Sequence, residues 1–133
     1  MHPSLTLDDI IVIIVDDDDD IRFSLTTFLC GRGATVFPYS NAGEALEAVR
    51  VHHPDIVLSD IGLPNRDGFQ LLGEIRSLDV EQGRDVPVIA MTAFGWSGQR
   101  AQNVWGGFQA RLTKPFKPDQ LLSAVAATLN HRH

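Results

Sequence analysis

Residues 10–15 read Ile-Ile-Val-Ile-Ile-Val, six apolar positions without a polar interruption, every one β-branched. β-Branched side chains favour extended backbone, and a strand wetted on one face would alternate apolar with polar residues. A strand apolar at every position is buried on both faces, as in the middle of a parallel sheet carrying helices above and below. Such a sheet needs a crossover helix between successive strands, and the rest of the chain provides them. Asp16–Asp20 is followed by Ile21, Leu25, Phe28 and Leu29 at helical spacing, with Gly31 and Gly33 to end the helix. Residues 34–39 form a second strand, whose Pro38 suits an edge or a strand end. Asn41-x-x-Glu44 opens a second helix in the manner of a capping box, with Ala42, Ala45, Leu46 and Val49 as its apolar stripe.

His52-His53-Pro54 breaks that helix, and Ile56-Val57-Leu58 is a third buried strand. Phe69, Leu72 and Ile75 mark a third helix, followed by a polar loop over 78–85 and a fourth strand over 87–92. A fourth helix is expected over 97–105, weakened by Gly98, Asn103 and the Gly106-Gly107 pair. Residues 110–113 make a short fifth strand, and Pro118 opens a last helix carrying Leu121, Leu122, Val125 and Leu129. Five strands alternating with five helices give an α/β, doubly wound parallel sheet covered on both faces. Right-handed crossovers favour the strand order 2-1-3-4-5. The expected organisation is a short tail over 1–8, with Leu5 and Leu7 touching the body, one domain over 9–130 and a tail over 131–133.

Composition narrows the function. The 133 residues suit one domain, and 44% hydrophobic with 21% charged residues is ordinary for a soluble globular protein. A net charge of −6 without clustered Lys and Arg disfavours nucleic acid. Seven of the 17 acidic residues fall within the first 20 positions, and a local acidic cluster points to a cation. Cys30, the single cysteine, has no partner for an internal disulfide, which is compatible with the cytoplasm. The apolar run over 10–15 is too short to span a membrane, and no signal-peptide pattern precedes it. A cytoplasmic protein with neither nucleic-acid nor membrane partners is expected.

In the order 2-1-3-4-5, strands one and three flank the switch point, and ligands bind outside the carboxyl ends of strands. Asp16 and Asp17 follow strand one and Asp60 follows strand three, around one crevice. At an effective dielectric of about 20, two such charges about 4 Å apart repel by about 4 kcal/mol, so the cluster either raises its pKa values or binds a divalent cation. Hard oxygens from two or three side chains, with water completing the shell, suit Mg²⁺, or Mn²⁺ in its place. Ile21 and Thr27 stand where an EF-hand loop needs Gly and Glu. Thr92 ends strand four, and Lys114, one of two lysines, ends strand five at a Lys-Pro junction that admits a cis peptide. Singly, each has a plainer reading: Asp60 as a turn cap, Asp18–Asp20 as a solvated helix start, Thr92 as a strand-end hydroxyl, Lys114 as a surface lysine. Together they would accommodate one cation and one phosphoryl group, with Asp60 as nucleophile.

Four stretches carry a family resemblance: Ile-Val-Asp16-Asp17-Asp18, Ser-Asp60-Ile-Gly-Leu-Pro-x-x-Asp67-Gly68, Ala-Met-Thr92-Ala93 and Leu-Thr-Lys114-Pro115-Phe116. In that order and spacing, the chain resembles the receiver domain of bacterial two-component response regulators over about residues 9–130. The resemblance implies the flavodoxin-like receiver fold and transfer of a phosphoryl group from a histidine kinase, or a histidine phosphotransfer protein, to Asp60. It implies that Asp17, Asp60 and the Gly62 carbonyl ligate Mg²⁺, with Asp16 acting largely through water. Thr92 and Lys114 would contact the phosphoryl group, Thr92 moving toward it as a switch. Such a domain phosphorylates and dephosphorylates itself without turning over an external substrate. One departure is Arg111, where the family usually has an aromatic residue or His; an unpaired guanidinium is costly to bury, so Arg111 is expected at the surface.

The stretch from Gly107 to Pro115 resembles receivers of hybrid sensor kinases somewhat more than those of DNA-binding effectors. No residues remain for an effector domain, so output is expected by docking on a downstream protein, by passing phosphate on, or through a parent chain. Trp96 and Trp105 lie about 180° apart on a regular helix. One of them is therefore expected at a partner or homodimer contact formed by the fourth helix and fifth strand, with Arg111 at its rim. Two other readings compete. A metal-dependent phosphatase resembling the haloacid-dehalogenase superfamily matches Asp16-x-Asp18, but Asp20 replaces the usual Thr or Val and no cap-sized insertion exists. A degenerate receiver used only for contacts is opposed by the intact Asp17, Asp60, Thr92 and Lys114.

Overall fold

A computed structural model of the chain describes residues 6–63, 67–93 and 107–130. The strands are β1 (Ile11–Val15), β2 (Thr35–Tyr39), β3 (Ile56–Asp60), β4 (Val88–Thr92) and β5 (Ala110–Thr113). All pair in parallel, in the expected order β2-β1-β3-β4-β5. The register accounts for the unalternating apolar run. Ile13 pairs with Phe37 on one side and Val57 on the other, and its neighbours are likewise flanked on both edges. Val12 and Ile14 enter one core with Ile56, Leu58, Ile89 and Met91, closed by Leu25 and Leu29 of α1 (Asp19–Gly31) and by Leu121 and Val125 of the C-terminal helix (Pro118–Asn130). Ile13 and Val15 enter the other with Val57 and Val88, closed by Ala45 and Val49 of α2 (Ala42–His52) and by Leu71 and Ile75 of α3 (Gly68–Arg76). One strand feeds two cores, so a polar side chain at any of these four positions would lose its water without gaining a partner.

Local chemistry sets the helix ends. The Asp18 carboxylate caps α1, accepting from the Asp20 and Ile21 amides at 2.9 and 3.1 Å. Asn41 caps α2 through the Glu44 amide at 2.9 Å, but Glu44 returns to the Asn41 side-chain amide, not to its backbone, so the box is incomplete. Asp67 and Gln70 form a full capping box at the start of α3. α2 stops at His53, in the left-handed region at φ 50°. After α1 the chain turns at Gly33, φ +101°, where an added Cβ would strike the Asp8 carboxylate. Leu7 touches the body as expected: it is buried, and its amide donates to the Arg32 carbonyl at 2.7 Å.

Pro38 sits on β2, which has β1 as its one neighbour, as an edge strand tolerates. The polar loop over 78–85 contains a 3₁₀ turn, Val80–Gln82. Arg76, at the end of α3, ties that loop to the entry of β5: Nη1 donates to the Arg84 and Val86 carbonyls at 2.7 and 2.8 Å, and Nη2 to the Gly107 carbonyl at 3.2 Å. Arg111 is exposed on β5, as expected of its guanidinium. Among the described residues there are four α-helices. The helix expected over 97–105, with Phe94, Trp96 and Trp105, lies outside the described residues, as do Leu5, Pro64, Asn65 and the tail over 131–133. No helix among the described residues is long and apolar enough to cross a membrane.

Candidate functional site

Parallel strands deliver whatever follows their last residues to one edge of the sheet. β1 ends before Asp16, β3 at Asp60, β4 at Thr92 and β5 before Lys114, so four residues from distant parts of the chain meet there. Backbone bonds fix these exits to one another: the Asp16 amide donates to the Tyr39 carbonyl at 3.1 Å, Ile61 to Met91 at 2.9 Å and Lys114 to Thr92 at 2.7 Å. The Lys114–Pro115 peptide is cis.

Asp16 has no exposed surface, and its carboxylate is held from two sides. Oδ1 accepts from the Asp18 amide at 2.9 Å and Oδ2 from Lys114 Nζ at 2.8 Å. The same ammonium lies 3.4 Å from Asp60 Oδ1, which also accepts from the Gly62 amide at 3.3 Å. Asp60 is 9% exposed, which leaves an approach from solvent that Asp16 lacks. Asp17 is exposed at the rim. One oxygen from each of Asp16, Asp17 and Asp60 lies within 4.8 Å of the other two.

Burial pushes the Asp16 carboxyl above its ordinary value; the hydrogen bonds from Lys114 and the Asp18 amide oppose this, and the Asp60 charge adds to it. Burial also acts to lower the Lys114 pKa, but the hydrogen bond to Asp16 and the charges of Asp16 and Asp60 outweigh it, so the ammonium is held above its ordinary value. The two directions pull oppositely on the pair. The ion pair prevails, because a neutral Asp16 would leave a largely buried ammonium facing, among the described residues, the more distant Asp60 oxygen.

The site is therefore a carboxylate triad with one ammonium against its inner side. Three hard oxygens on one flank, with open space beyond Asp17 for water, fit a small divalent cation that keeps part of its hydration shell. Gly62 contributes its N–H to Asp60. A Cβ there would meet nothing within 4 Å, so space alone does not demand glycine. Thr92 is 2% exposed, and its hydroxyl donates to the Ala93 carbonyl at 3.2 Å and not to the carboxylates.

Gly68 is constrained by contact. A Cβ there would come within 2.7 Å of the Asp60 carbonyl oxygen and 2.9 Å of Ile61 Cα, because α3 starts directly against the end of β3. Gly68→Ala is expected to destabilise the fold by about 1–3 kcal/mol, as overpacking does, and to displace Asp60. Urea unfolding measures the first, and a shifted Asp60 amide resonance the second.

The profile of the response regulator receiver domain matches residues 12–126. The chain belongs to that family. This receiver is 38% identical over 106 residues, 80% of its own length and 79% of the other's, to an uncharacterised 14.6 kDa protein of Leptolyngbya boryana. It is 36% identical over 86 residues, 65% of its length and 68% of the relative's, to the polar-differentiation response regulator DivK of Brucella ovis. The receiver domain of the sensor histidine kinase PA1611 of Pseudomonas aeruginosa superposes with a TM-score of 0.79 at 28% identity, over 90% of this chain and 97% of that one. In that structure a magnesium ion is coordinated in the active-site cleft.

The expected residues thus meet at one sheet edge, except that Thr92's hydroxyl is turned to its own neighbour and Lys114 lies closer to Asp16 than to Asp60. Asp67 and Gly68, which stood out in the sequence only as part of the family-resembling stretch around Asp60, seat α3 against Asp60. The Asp67-x-x-Gln70 spacing was the available signal for the cap.

Proposed function

We propose that this receiver is a phosphoacceptor switch. Asp60 takes a phosphoryl group from the phosphohistidine of a histidine kinase or histidine phosphotransfer protein, and the phosphorylated form signals through contacts with a downstream protein or a second copy. The observation that carries this reading is the Asp60 carboxylate, reachable from solvent, 3.4 Å from Lys114 Nζ and grouped with Asp16 and Asp17 oxygens. An Asp60 oxygen forms the new P–O bond as the P–N bond to the donor imidazole breaks, and the imidazole leaves with the electron pair. Lys114, already against Asp60, is positioned to pair with a phosphoryl oxygen. Thr92 would have to release the Ala93 carbonyl to do the same, and that rotation is the proposed switch.

Asp17, Asp60 and the Gly62 carbonyl would hold Mg²⁺ or Mn²⁺, with Asp16 acting through water. Bound there, the cation neutralises charge on the phosphoryl oxygens. The acyl phosphate is then lost to water, so the domain reverses its own modification without turning over an external substrate. The proposed setting is the cytoplasm. Either a single-domain response regulator or the receiver of a hybrid kinase accommodates this chemistry.

Incubation with a small phosphodonor and Mg²⁺ is expected to add one acid-stable, base-labile phosphate, and chelation to prevent it. Turnover of an external phosphomonoester would instead favour the phosphatase reading. Within the aspartate run, Asp17→Asn is expected to weaken Mg²⁺ binding by at least tenfold more than Asp19→Asn, about the effect of losing a ligand or its close support. Asp19 stands outside the carboxylate triad, its side chain 87% exposed and paired with Arg22. Equal affinities in the two variants would reduce the run to diffuse negative charge.

A further inference from the structure

Asp16 is fixed by Lys114 and the Asp18 amide, and Asp60 by Lys114 and the Gly62 amide. Asp17 differs. No hydrogen bond ties its carboxylate to another described residue, so among the described residues it is the backbone that sets its direction. That backbone has its own clamp. From the second turn of α1, Arg22 Nη1 donates to the main-chain carbonyl of Asp16 at 2.7 Å, and Nη2 pairs with the Asp19 carboxylate. The carbonyl belongs to the peptide joining Asp16 to Asp17, so holding it fixes the plane from which Asp17 projects. Arg22 is mostly buried, its side chain 22% exposed, and the fork geometry of a guanidinium lets it hold both acceptors at once.

The geometry points to Arg22 as a positioning residue for the cation site, acting through the Asp16–Asp17 peptide on the direction of Asp17. This rests on the cation site proposed above. It also reverses a simple electrostatic expectation. A guanidinium beside three carboxylates repels a divalent cation, so if its charge were all that mattered, removing Arg22 would tighten cation binding. If it positions Asp17, removing it weakens binding.

The test is calorimetric titration of Mg²⁺ into the wild-type protein, Arg22→Met and Arg22→Lys, with thermal unfolding of each. The methionine variant is expected to bind Mg²⁺ about tenfold more weakly, the size of effect seen when support for a ligand is lost. Lysine, which keeps the charge but lacks the fork, is expected to fall between the two. Raising Mg²⁺ to saturation is expected to restore the rate of Asp60 phosphorylation, which a general loss of fold would not allow. Unchanged or tighter binding in the folded methionine variant overturns the inference. If only the lysine variant folds, unchanged binding there does so. Absence of Mg²⁺ binding in the wild-type protein would instead remove the cation site itself.

Discussion

Asp60→Asn is expected to abolish phosphate incorporation from a small donor while the domain stays folded. The amide keeps the volume of the carboxylate and can still accept from the Gly62 amide, now 3.3 Å away. It has no anionic oxygen to attack phosphorus. The substitution also removes a negative charge from beside Asp16, which eases the like-charge repulsion that helps to raise the Asp16 carboxyl. No loss of folding midpoint is expected. The competing acceptors are unequal. Asp16 is fully buried with each oxygen held by one hydrogen bond, so a donor in solvent has no approach to it. Asp17 is exposed and is the one neighbour able to substitute weakly. Mass spectrometry of intact protein after donor treatment measures the outcome. Full labelling of the asparagine variant would remove Asp60 as acceptor, and trace labelling confined to Asp17 would leave its primacy intact.

What the sequence made legible divides along physical lines. Periodic features were readable because they repeat. The β-branched run announced a strand flanked on both edges, and the apolar positions of α1, α2, α3 and the C-terminal helix pack inward as their spacing required, all on the two cores except Phe69, which packs against a small separate cluster of Ile61 and Ala90. The site was readable because a parallel sheet collects strand ends at one edge, so residues as far apart as Asp16 and Lys114 needed only the strand order to be brought together. Single contacts from side chain to backbone were not readable, because no repeat announces them. Arg22 on the Asp16 carbonyl and Arg76 on three carbonyls are of this kind. So is the need for glycine at 68, which depends on how closely α3 approaches β3. The finer position of Lys114 also escaped the sequence. Its place at a strand end indicated a cation near Asp60, but not that Asp16 would be its nearer partner.

That nearer partner decides what Lys114→Met does. Methionine keeps most of the stem, which lines one cleft with Phe116 and Leu121, and removes only the charge and the donors. Without the ammonium, Asp16 retains the Asp18 amide but loses the cation 2.8 Å away in a site with no exposed surface. Truncating one partner of a fully buried pair costs about 3–5 kcal/mol; with Lys114 still partly wetted and one hydrogen bond retained, about 1–3 kcal/mol is expected here at neutral pH without divalent cation. The pH dependence fixes the cause. The carboxyl of Asp16 is raised in the fold, so the folded state holds its proton more tightly than the unfolded state. Its ionisation therefore costs stability as pH rises above the ordinary value of 3.8, and the cost grows when Lys114 is gone. Stability lost by the variant should shrink as pH falls and Asp16 protonates. In the wild-type protein the raised Lys114 pKa contributes stability that is complete below 10.5 and lost only as pH climbs through the higher folded value. Mg²⁺ should recover part of the loss, since a cation among the carboxylates replaces the missing charge. Denaturant unfolding across pH, with and without Mg²⁺, measures all of this; a loss independent of both would assign Lys114 a packing role. For signalling, the variant is expected to accept phosphate on Asp60 yet fail to alter partner affinity, because nothing then draws the phosphoryl oxygens toward β5. A normal phosphorylation-dependent change in affinity would separate the switch from Lys114.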